Sequence, residues 1–327
     1  MAIIQAACPV CSGLSDQRLI HPPDINLIEC SICGRFSIEN DYITKIDRDK
    51  YASYLFYNCN LFSSINDKKK VFYFIGSDIS YKDILFEYPS DIRHLRKEDV
   101  DNWYPKKFSE KIDYILLGLA QLSDYTGKSI SLIGQKANSL FFVKRYTDDN
   151  LLPNEKINEQ TEYYYNYLSS LQLIKQNYSM ATLLPEGLRR IDELQKNQAV
   201  SKQVFIAISF SDDMIKVQEA IEEGIRKAGY IPHTMNRNEH NNQIVPEILF
   251  QIRQSKFVVA EFSTGNNGAY YEAGYAAGLG KEVIHICNTE KFRKKGHFDI
   301  KQKSTVLWNT VEEIPDALCK RIIATII

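Results

Sequence analysis

The sequence predicts a multidomain α/β protein, in which a small cysteine-rich segment and a mostly helical region precede an α/β domain. Three observations predict this organisation. Two Cys-x-x-Cys pairs lie near the N-terminus, helical apolar periodicity dominates the middle, and strand and helix patterns alternate in the last third. The predicted segments are residues 1–46, 47–198 and 203–327.

Length and composition are typical of a globular protein with more than one domain. The chain has 327 residues, of which 44% are hydrophobic and 25% charged, and its net charge is −1 at pH 7. This charge points to neither a nucleic-acid nor a membrane partner. The opening MAIIQAAC lacks the basic start of a signal peptide, and no apolar run approaches the about 20 residues that span a bilayer. We therefore expect a cytoplasmic protein with reduced cysteines and no membrane partner.

The first segment, residues 1–46, contains the pairs CPVC and CSIC, separated by 18 residues. This spacing is typical of a zinc site, because two such turns present four thiolates to one tetrahedral ion. Four thiolates fill the coordination shell, so the zinc would be structural and would stabilise a segment too small to fold by apolar burial alone. The sequence predicts a zinc ribbon, and the alternative is four free cysteines. The predicted ligands are Cys8, Cys11, Cys30 and Cys33.

The middle segment, residues 47–198, carries helical patterns at 108–127 and 157–174. Strands predicted at 171–174 and 179–184 would form a hairpin, and a helix would begin at Pro185. This order is typical of a winged-helix domain with the hairpin as its wing.

Winged helices bind DNA or proteins. The predicted recognition region, residues 131–145, holds only Lys136, Lys144 and Arg145 as cations. A DNA partner and a protein partner therefore both stay open for the N-terminal modules, and so does a homo-oligomer.

The third segment alternates strands and helices. Such a βαβ succession predicts a mainly parallel sheet of five strands with helices on both faces, of the flavodoxin or Rossmann type. The apolar strand patterns lie at residues 203–209, 230–235, 256–263, 282–287 and 304–310.

Ligands of open parallel sheets bind beyond the carboxyl ends of the strands. Glu272 lies in a helix of small residues after the third strand, and helical side chains lean toward the N-terminus, so we expect its carboxylate to face this cleft. The alternative is that Glu272 only interacts with the helix dipole. Gly274 and Gly278, four residues apart, predict a close approach of this helix to the sheet.

Residues 203–325 resemble the nucleoside 2-deoxyribosyltransferase-like branch related to TIR domains. The resemblance lies in FIAISFSDDM, EHNNQI, FVVAEFSTGNNGAYYEAGYAAGLGKEV and FDIKQ. It implies cleavage of the N-glycosidic bond of a nucleoside, a nucleotide or NAD, by the glutamate of a G-x-x-x-E-x-G motif that matches Glu272. Glu261 matches an acidic position at which aspartate is more usual. Deoxyribosyltransferases place glycine and proline where this chain has Ile208, Ser209 and Phe210, and this departure favours hydrolysis over transfer.

The chemistry fits these residues. Cleaving the bond builds positive charge on the sugar, which a carboxylate attacks or stabilises. We assign this role to Glu272, and expect Glu261 to orient it or hold a sugar hydroxyl. Two neighbouring carboxylates would also raise the pKa of one of them. The expected binding residues for base, ribose or phosphate are Ser209, Phe210, Ser211, Asp212, His240, Asn267, Gly268, Tyr270 and Tyr271.

We therefore expect an N-glycosidase that hydrolyses NAD or a nucleotide. The resemblance further implies bacterial antiphage defence and sites completed by association. The alternative is a nucleotide-sensing regulatory protein, whose zinc ribbon and winged helix bind DNA or a protein partner.

Overall fold

The chain forms two compact units, Met1–Val200 and Ser201–Ile327. Their boundary lies within the polar stretch QKNQAVSK, residues 195–202. The computed structural model describes residues 3–20, 24–61, 72–81, 92–147, 150–197, 201–235, 244–295 and 302–326.

A six-stranded sheet opens the first unit. Its strands lie side by side in chain order, β1 to β4 antiparallel and β5 and β6 parallel to β4. The sheet therefore joins strands on both sides of residue 46. The strands are β1 (Ile4–Ala7), β2 (Leu14–Ile20), β3 (Ile25–Cys30), β4 (Gly34–Glu39), β5 (Phe72–Ile75) and β6 (Ile92–His94).

Helices dominate the rest of this unit, together with a three-stranded antiparallel sheet in the order β10, β11, β7. The hairpin β10–β11 begins at Ile174, three residues later than predicted, because the preceding helix continues to Ser170 and Gln172 turns the chain with φ 56°. The elements are α1 (Arg48–Leu55), followed by a π-helical segment Phe56–Leu61, then α2 (Lys97–Trp103), α3 (Phe108–Gln121), β7 (Ile130–Ser131), α4 (Gly134–Leu140), β8 (Tyr146–Thr147), β9 (Asn150–Leu151), α5 (Asn154–Ser170), β10 (Ile174–Asn177), β11 (Met180–Leu183) and α6 (Pro185–Asn197).

The second unit is an α/β domain whose five strands are all parallel, in the order β13, β12, β14, β15, β16. The predicted five-stranded parallel sheet with flanking helices is thereby confirmed. Its elements are β12 (Gln203–Ala207), α7 (Ile215–Lys227), β13 (Ile231–His233), α8 (Ile244–Gln254), β14 (Phe257–Glu261), α9 (Asn267–Gly278), β15 (Val283–Asn288), α10 (Thr289–Lys295), β16 (Thr305–Trp308) and α11 (Ile314–Thr325).

The central strands of this sheet are buried on both faces. Val204 and Ile206 of β12 pack in one apolar cluster with residues of α7 and α11, whereas Phe205 packs in a second cluster with residues of α8 and α9. Burial on both faces explains the nearly continuous apolar run of this strand. The sheet changes winding direction between β12 and β14, so the loops that follow these two strands border the expected ligand crevice.

The prediction that Gly274 and Gly278 bring α9 close to the sheet was wrong. A Cβ atom at either position would meet no atom within 4 Å. α9 packs on the sheet through a different face, whose buried residues are Ala269, Ala273 and Ala276. A close glycine contact occurs instead at Gly224 of α7, where a Cβ would lie 2.9 Å from the Pro315 carbonyl oxygen at the start of α11.

These two environments predict opposite effects of the same substitution. Gly224→Ala is expected to lower the free energy of unfolding by about 1–3 kcal/mol, because the methyl group forces α7 away from α11. Gly274→Ala is expected to raise it by up to about 1 kcal/mol, because alanine favours the helix and enters open space. Urea denaturation of both variants measures the two changes, and a loss for Gly274→Ala would contradict the packing of α9.

Candidate functional site

The four predicted cysteine ligands lie together in the turns β1–β2 and β3–β4. All four are buried, and their sulfur atoms lie within 4.8 Å of one another. Four thiols at this separation are close enough to bind one metal ion. The members of this cluster are Cys8, Cys11, Cys30 and Cys33.

Backbone N–H groups support the sulfur atoms. Gly13 N donates to Cys11 Sγ at 3.3 Å, and Cys33 N donates to Cys30 Sγ at 3.4 Å. The turns that allow this contain a left-handed residue each, Ser12 with φ 65° and Gly34 with φ 77°. Hydrogen bonds from Cys11, and then from Cys33 and Cys8, lower the pKa of the Cys30 thiol. The same hydrogen bonds, from Cys30 at Cys11 and from Cys11 at Cys33, raise the pKa of those two thiols. Binding of a metal ion would therefore have to release their protons, because the thiolate is the form that binds metals.

A buried ion pair holds the first cysteine turn in place. Arg145 Nε lies 2.8 Å from Asp49 Oδ1, and both side chains are at least nine-tenths buried. The same guanidinium donates through Nη1 to the Cys11 carbonyl at 2.6 Å and through Nη2 to the Val10 carbonyl at 3.2 Å. Arg145 was one of the three cations of the predicted recognition region, and the structure places it inside the unit instead.

Asp49 in turn binds the backbone that carries Arg145. Its Oδ2 accepts hydrogen bonds from the N–H groups of Arg145 at 2.7 Å and Tyr146 at 3.1 Å. The ion pair therefore connects α1, the cysteine turn and the β8 strand. Sequence reasoning missed this pair, because its members lie 96 residues apart.

The predicted cleft residues of the second unit lie at the carboxyl ends of β12 and β14. In the loop after β12, Ser209 Oγ and Ser211 Oγ are 3.2 Å apart, and the Phe210 side chain is exposed. Asp212 is exposed at the start of a short 3-10 turn. These side chains are accessible to a ligand at this edge of the sheet.

Glu272 lies in the first half of α9 and is half-buried. Its Oε1 would lie 4.0 Å from a Cβ atom at Gly268, so the carboxyl group leans over the first turn of the helix as expected. Asn266 caps this turn by accepting a hydrogen bond from Gly268 N at 2.8 Å. Burial raises the pKa of Glu272 to about 7, so its proton is held or released near neutral pH.

Glu261 ends β14 and is fully buried. Its two oxygens accept hydrogen bonds from Ser263 N at 3.0 and 3.1 Å, and the Ser263 hydroxyl also donates to it. The Ser263 hydroxyl accepts a bond from Asn288 N at 2.7 Å, which ties the end of β14 to the end of β15. Glu261 thus supports the loop that leads into α9.

The source of the Glu261 pKa shift differs from the expected one. Burial is the main cause that raises the pKa of Glu261 to about 7, and the negative charge of Asp213 adds to this increase. The hydrogen bonds from Ser263 act in the opposite direction and lower the pKa. We expected Glu261 and Glu272 to shift each other, but burial is the cause of the shift at Glu272. Asp213 was missed because the sequence places it 48 positions before Glu261.

The remaining candidate binding residues differ in their exposure to solvent. The Tyr270 ring packs on Phe262, with centroids 4.6 Å apart, and belongs to the apolar cluster under α9. Tyr271 is 57% exposed, so its ring is available for stacking. Asn267 and Gly268 are exposed at the start of α9. His240 lies outside the described residues.

Glu261 predicts a pH dependence of stability. Because its pKa is about 7 in the folded protein and about 4.3 in an unfolded chain, the folded state holds a proton that the unfolded state has released in this window. Stability is therefore expected to fall as the pH rises from 5 to 8, by about 3 kcal/mol from this residue. Urea denaturation of wild type and Glu261→Gln across this range isolates the effect. Equal pH profiles of the two proteins would contradict it.

Two cavities lie in the first unit, and the described residues that line them all belong to that unit. Among the described helices, none has the combined length and apolar character needed to cross a membrane. No protein-family model matches the chain, and neither does any curated protein or solved structure.

Proposed function

We propose that the second unit is an N-glycosidase that hydrolyses the bond between base and ribose in NAD or a nucleotide, with Glu272 as its catalytic carboxylate. The observation that carries this proposal is the position of Glu272, half-buried on the first turns of α9 at the carboxyl edge of a parallel sheet. Carboxylates with a raised pKa in such positions are candidates for catalysis. The resemblance in the G-x-x-x-E-x-G motif supports the same assignment.

In the proposed reaction, the ionised Glu272 stabilises the positive charge that develops on the ribose as the base departs. Water then adds to the anomeric carbon and gives up one proton, which goes to solvent when the departing base is nicotinamide and to the departing base when the substrate is a nucleotide. The products are the free base and the sugar with a new hydroxyl group. The exposed ring of Tyr271 would stack on the base. Exposed groups at Ser211 and Asp212 would contact ribose hydroxyls. Backbone N–H groups at the start of α9, other than that of Gly268, which donates to Asn266 Oδ1, would hold a phosphate.

Glu261 has a supporting role in this proposal. Because its carboxyl group is fully buried and bonded to Ser263, it positions the loop before α9 instead of touching the sugar. None of these contacts indicates a site for a second, accepting base. We therefore propose hydrolysis and not transfer of the sugar to another base.

A substrate screen tests the proposal. The full chain is incubated with NAD, nucleotides and nucleosides at several protein concentrations, because the resemblance implies that association completes such sites, and base release is followed by chromatography. Release of a free base from one substrate class is expected. Binding of a nucleotide without base release would instead support the alternative, a nucleotide-sensing regulatory protein.

We also propose that the ion of the cysteine cluster is a structural zinc. Four buried sulfur donors with N–H···S support suit zinc, and four thiolates leave no open coordination position. Reduced thiols of this kind fit a cytoplasmic protein.

The zinc proposal predicts about one zinc per chain in the purified protein, measured by elemental analysis. Cys8→Ser is expected to lower zinc content and the thermal stability of the first unit, because metal binding contributes folding free energy. The matched control is Cys319→Ser, which replaces a thiol of the second unit and is expected to keep both the zinc and the stability of the first unit. The proposal would be contradicted if the purified wild type contained no metal and its melting temperature did not change on addition of zinc.

A further inference from the structure

A groove of about 530 Å³ lies in the first unit. The residues that line it are different from those of the proposed glycosidase site. Residues of α4, of the first half of α5, of the turn β10–β11 and of the β8–β9 hairpin line it, and Ser12 of the first cysteine turn contributes to one wall. This volume lies within the range of small-molecule ligand sites, which is about 300–1,000 Å³.

Side-chain amides line this groove. They come from three different elements and point to a ligand with many hydrogen-bonding groups, because each amide offers both a donor and an acceptor. A peptide backbone, with alternating N–H and C=O groups, has this requirement. The lining amides are Gln135, Asn138, Asn154, Asn158 and Gln176.

Exposed apolar side chains are the second feature of the groove. Ile133 is 67% exposed, Leu151 is 61% exposed and Tyr178 is 92% exposed, and all three line it. Three large apolar groups grouped around one concave surface indicate a binding site, whereas single exposed apolar residues are ordinary.

The charge of the groove favours a peptide over a polynucleotide. None of the described residues that line it is a lysine, and the guanidinium of its one arginine, Arg145, is paired with Asp49 and two backbone carbonyls. Among the described lining residues, Glu162 is the one acid. Polynucleotide binding depends on several cations that neutralise phosphates, which this lining does not supply.

The turn that carries Cys8 and Cys11 forms part of the groove wall through Ser12. Ser12 Oγ is hydrogen-bonded to the Tyr146 hydroxyl at 3.0 Å and accepts a bond from Arg48 Nη2 at 3.0 Å. Arg48 also lies over the Tyr146 ring, 4.3 Å from its centroid. The wall therefore depends on the fold of the turn that carries Cys8 and Cys11.

We infer that this groove docks an extended, uncharged peptide segment of a partner protein, whose apolar side chain packs against Ile133, Leu151 and Tyr178. The amides bind the peptide backbone, and the apolar rim selects the side chain.

The test uses a display library of random peptides of about twelve residues, selected against the full-length protein. Enrichment of uncharged sequences with an aliphatic or aromatic residue is expected. For an enriched peptide, Ile133→Ser and Leu151→Ser are each expected to raise Kd about tenfold, as for the loss of one apolar contact. These residues are more than half exposed, so both variants should fold normally. Ile323→Ser, at an equally exposed residue of the second unit, is the matched control and should leave Kd unchanged.

Three results would overturn the inference. One is that no enriched peptide depends on Ile133 or Leu151. Another is that the enriched peptides are predominantly charged. The third is that labelled single-stranded or duplex DNA binds the protein and loses affinity in the Ile133→Ser variant, which would assign the groove to nucleic acid.

Discussion

Glu272→Gln is expected to lower the rate of base release by about 100- to 1,000-fold, a loss typical of removing a preorganised electrostatic group from an active site. Glutamine keeps the size of the side chain and its half-buried position on α9, but it carries no charge to stabilise the sugar cation. Initial rates of base release, measured by chromatography with the substrate found in the screen, give the effect. The fold should be unchanged, because a neutral amide is easier to bury than a carboxylate.

The pH profile sharpens this test. Because burial raises the pKa of Glu272 to about 7 and the ionised form acts, base release by wild type is expected to rise from pH 6 to pH 8 and to level off above the pKa. The residual rate of the Glu272→Gln variant should not increase between pH 6 and pH 8. Glu219→Gln, at an exposed position on α7, is the matched control and should retain both the rate and the profile. Equal rates for wild type and Glu272→Gln would remove Glu272 from the mechanism.

The parallel sheet of the second unit was predictable from sequence for a physical reason. A central strand buried on both faces needs a nearly continuous apolar run, and residues 203–209 and 256–263 contain such runs. The succession of strand and helix then leaves few topologies, because parallel crossovers are right-handed and short. The cysteine cluster was predictable for a similar reason, since paired Cys-x-x-Cys turns are local features of the chain.

Contacts between distant residues were not predictable in this way. Lys144 and Arg145 have the same local appearance in the sequence, yet Lys144 is exposed whereas Arg145 is buried against Asp49. No periodicity distinguishes the two, because Asp49, the partner of Arg145, lies far away in the sequence, on α1. The environment of Glu261 depends in the same way on Asn288, which bonds the Ser263 hydroxyl, and on Asp213, because only the folded sheet brings these two residues close to it.

The glycines of α9 illustrate a different failure. A spacing of four residues places Gly274 and Gly278 on one helical face, but spacing alone does not say which face meets the sheet. The buried alanines decide this, because Ala269, Ala273 and Ala276 provide a smooth apolar face that packs on β14. Glu272 is adjacent to this face, which explains why it is only half-buried and still has a raised pKa.

Asp49→Ala is expected to lower the free energy of unfolding of the first unit by about 3–5 kcal/mol, since it leaves the buried guanidinium of Arg145 without a counter-charge. It also removes the acceptor of two backbone N–H groups, at Arg145 and Tyr146. Denaturant titration followed by fluorescence measures the loss. Asp113→Ala breaks the ion pair with Arg190, whose side chain is 43% exposed, and as the matched control it should cause a smaller loss.

The same ion pair connects stability with the metal. Arg145 holds the Cys11 and Val10 carbonyls, so Arg145→Met is expected to weaken zinc binding by about 10–100-fold, as found for groups that orient metal ligands. Competition with a zinc-binding dye measures this affinity. The double variant Asp49→Leu/Arg145→Met removes both charges and should be more stable than Asp49→Ala, because no unpaired charge stays buried. If the double variant regained both stability and full zinc affinity, the ion pair would have no effect on zinc binding by the cysteine turn. Recovery of stability alone would show that the guanidinium positions the ligands through their backbone.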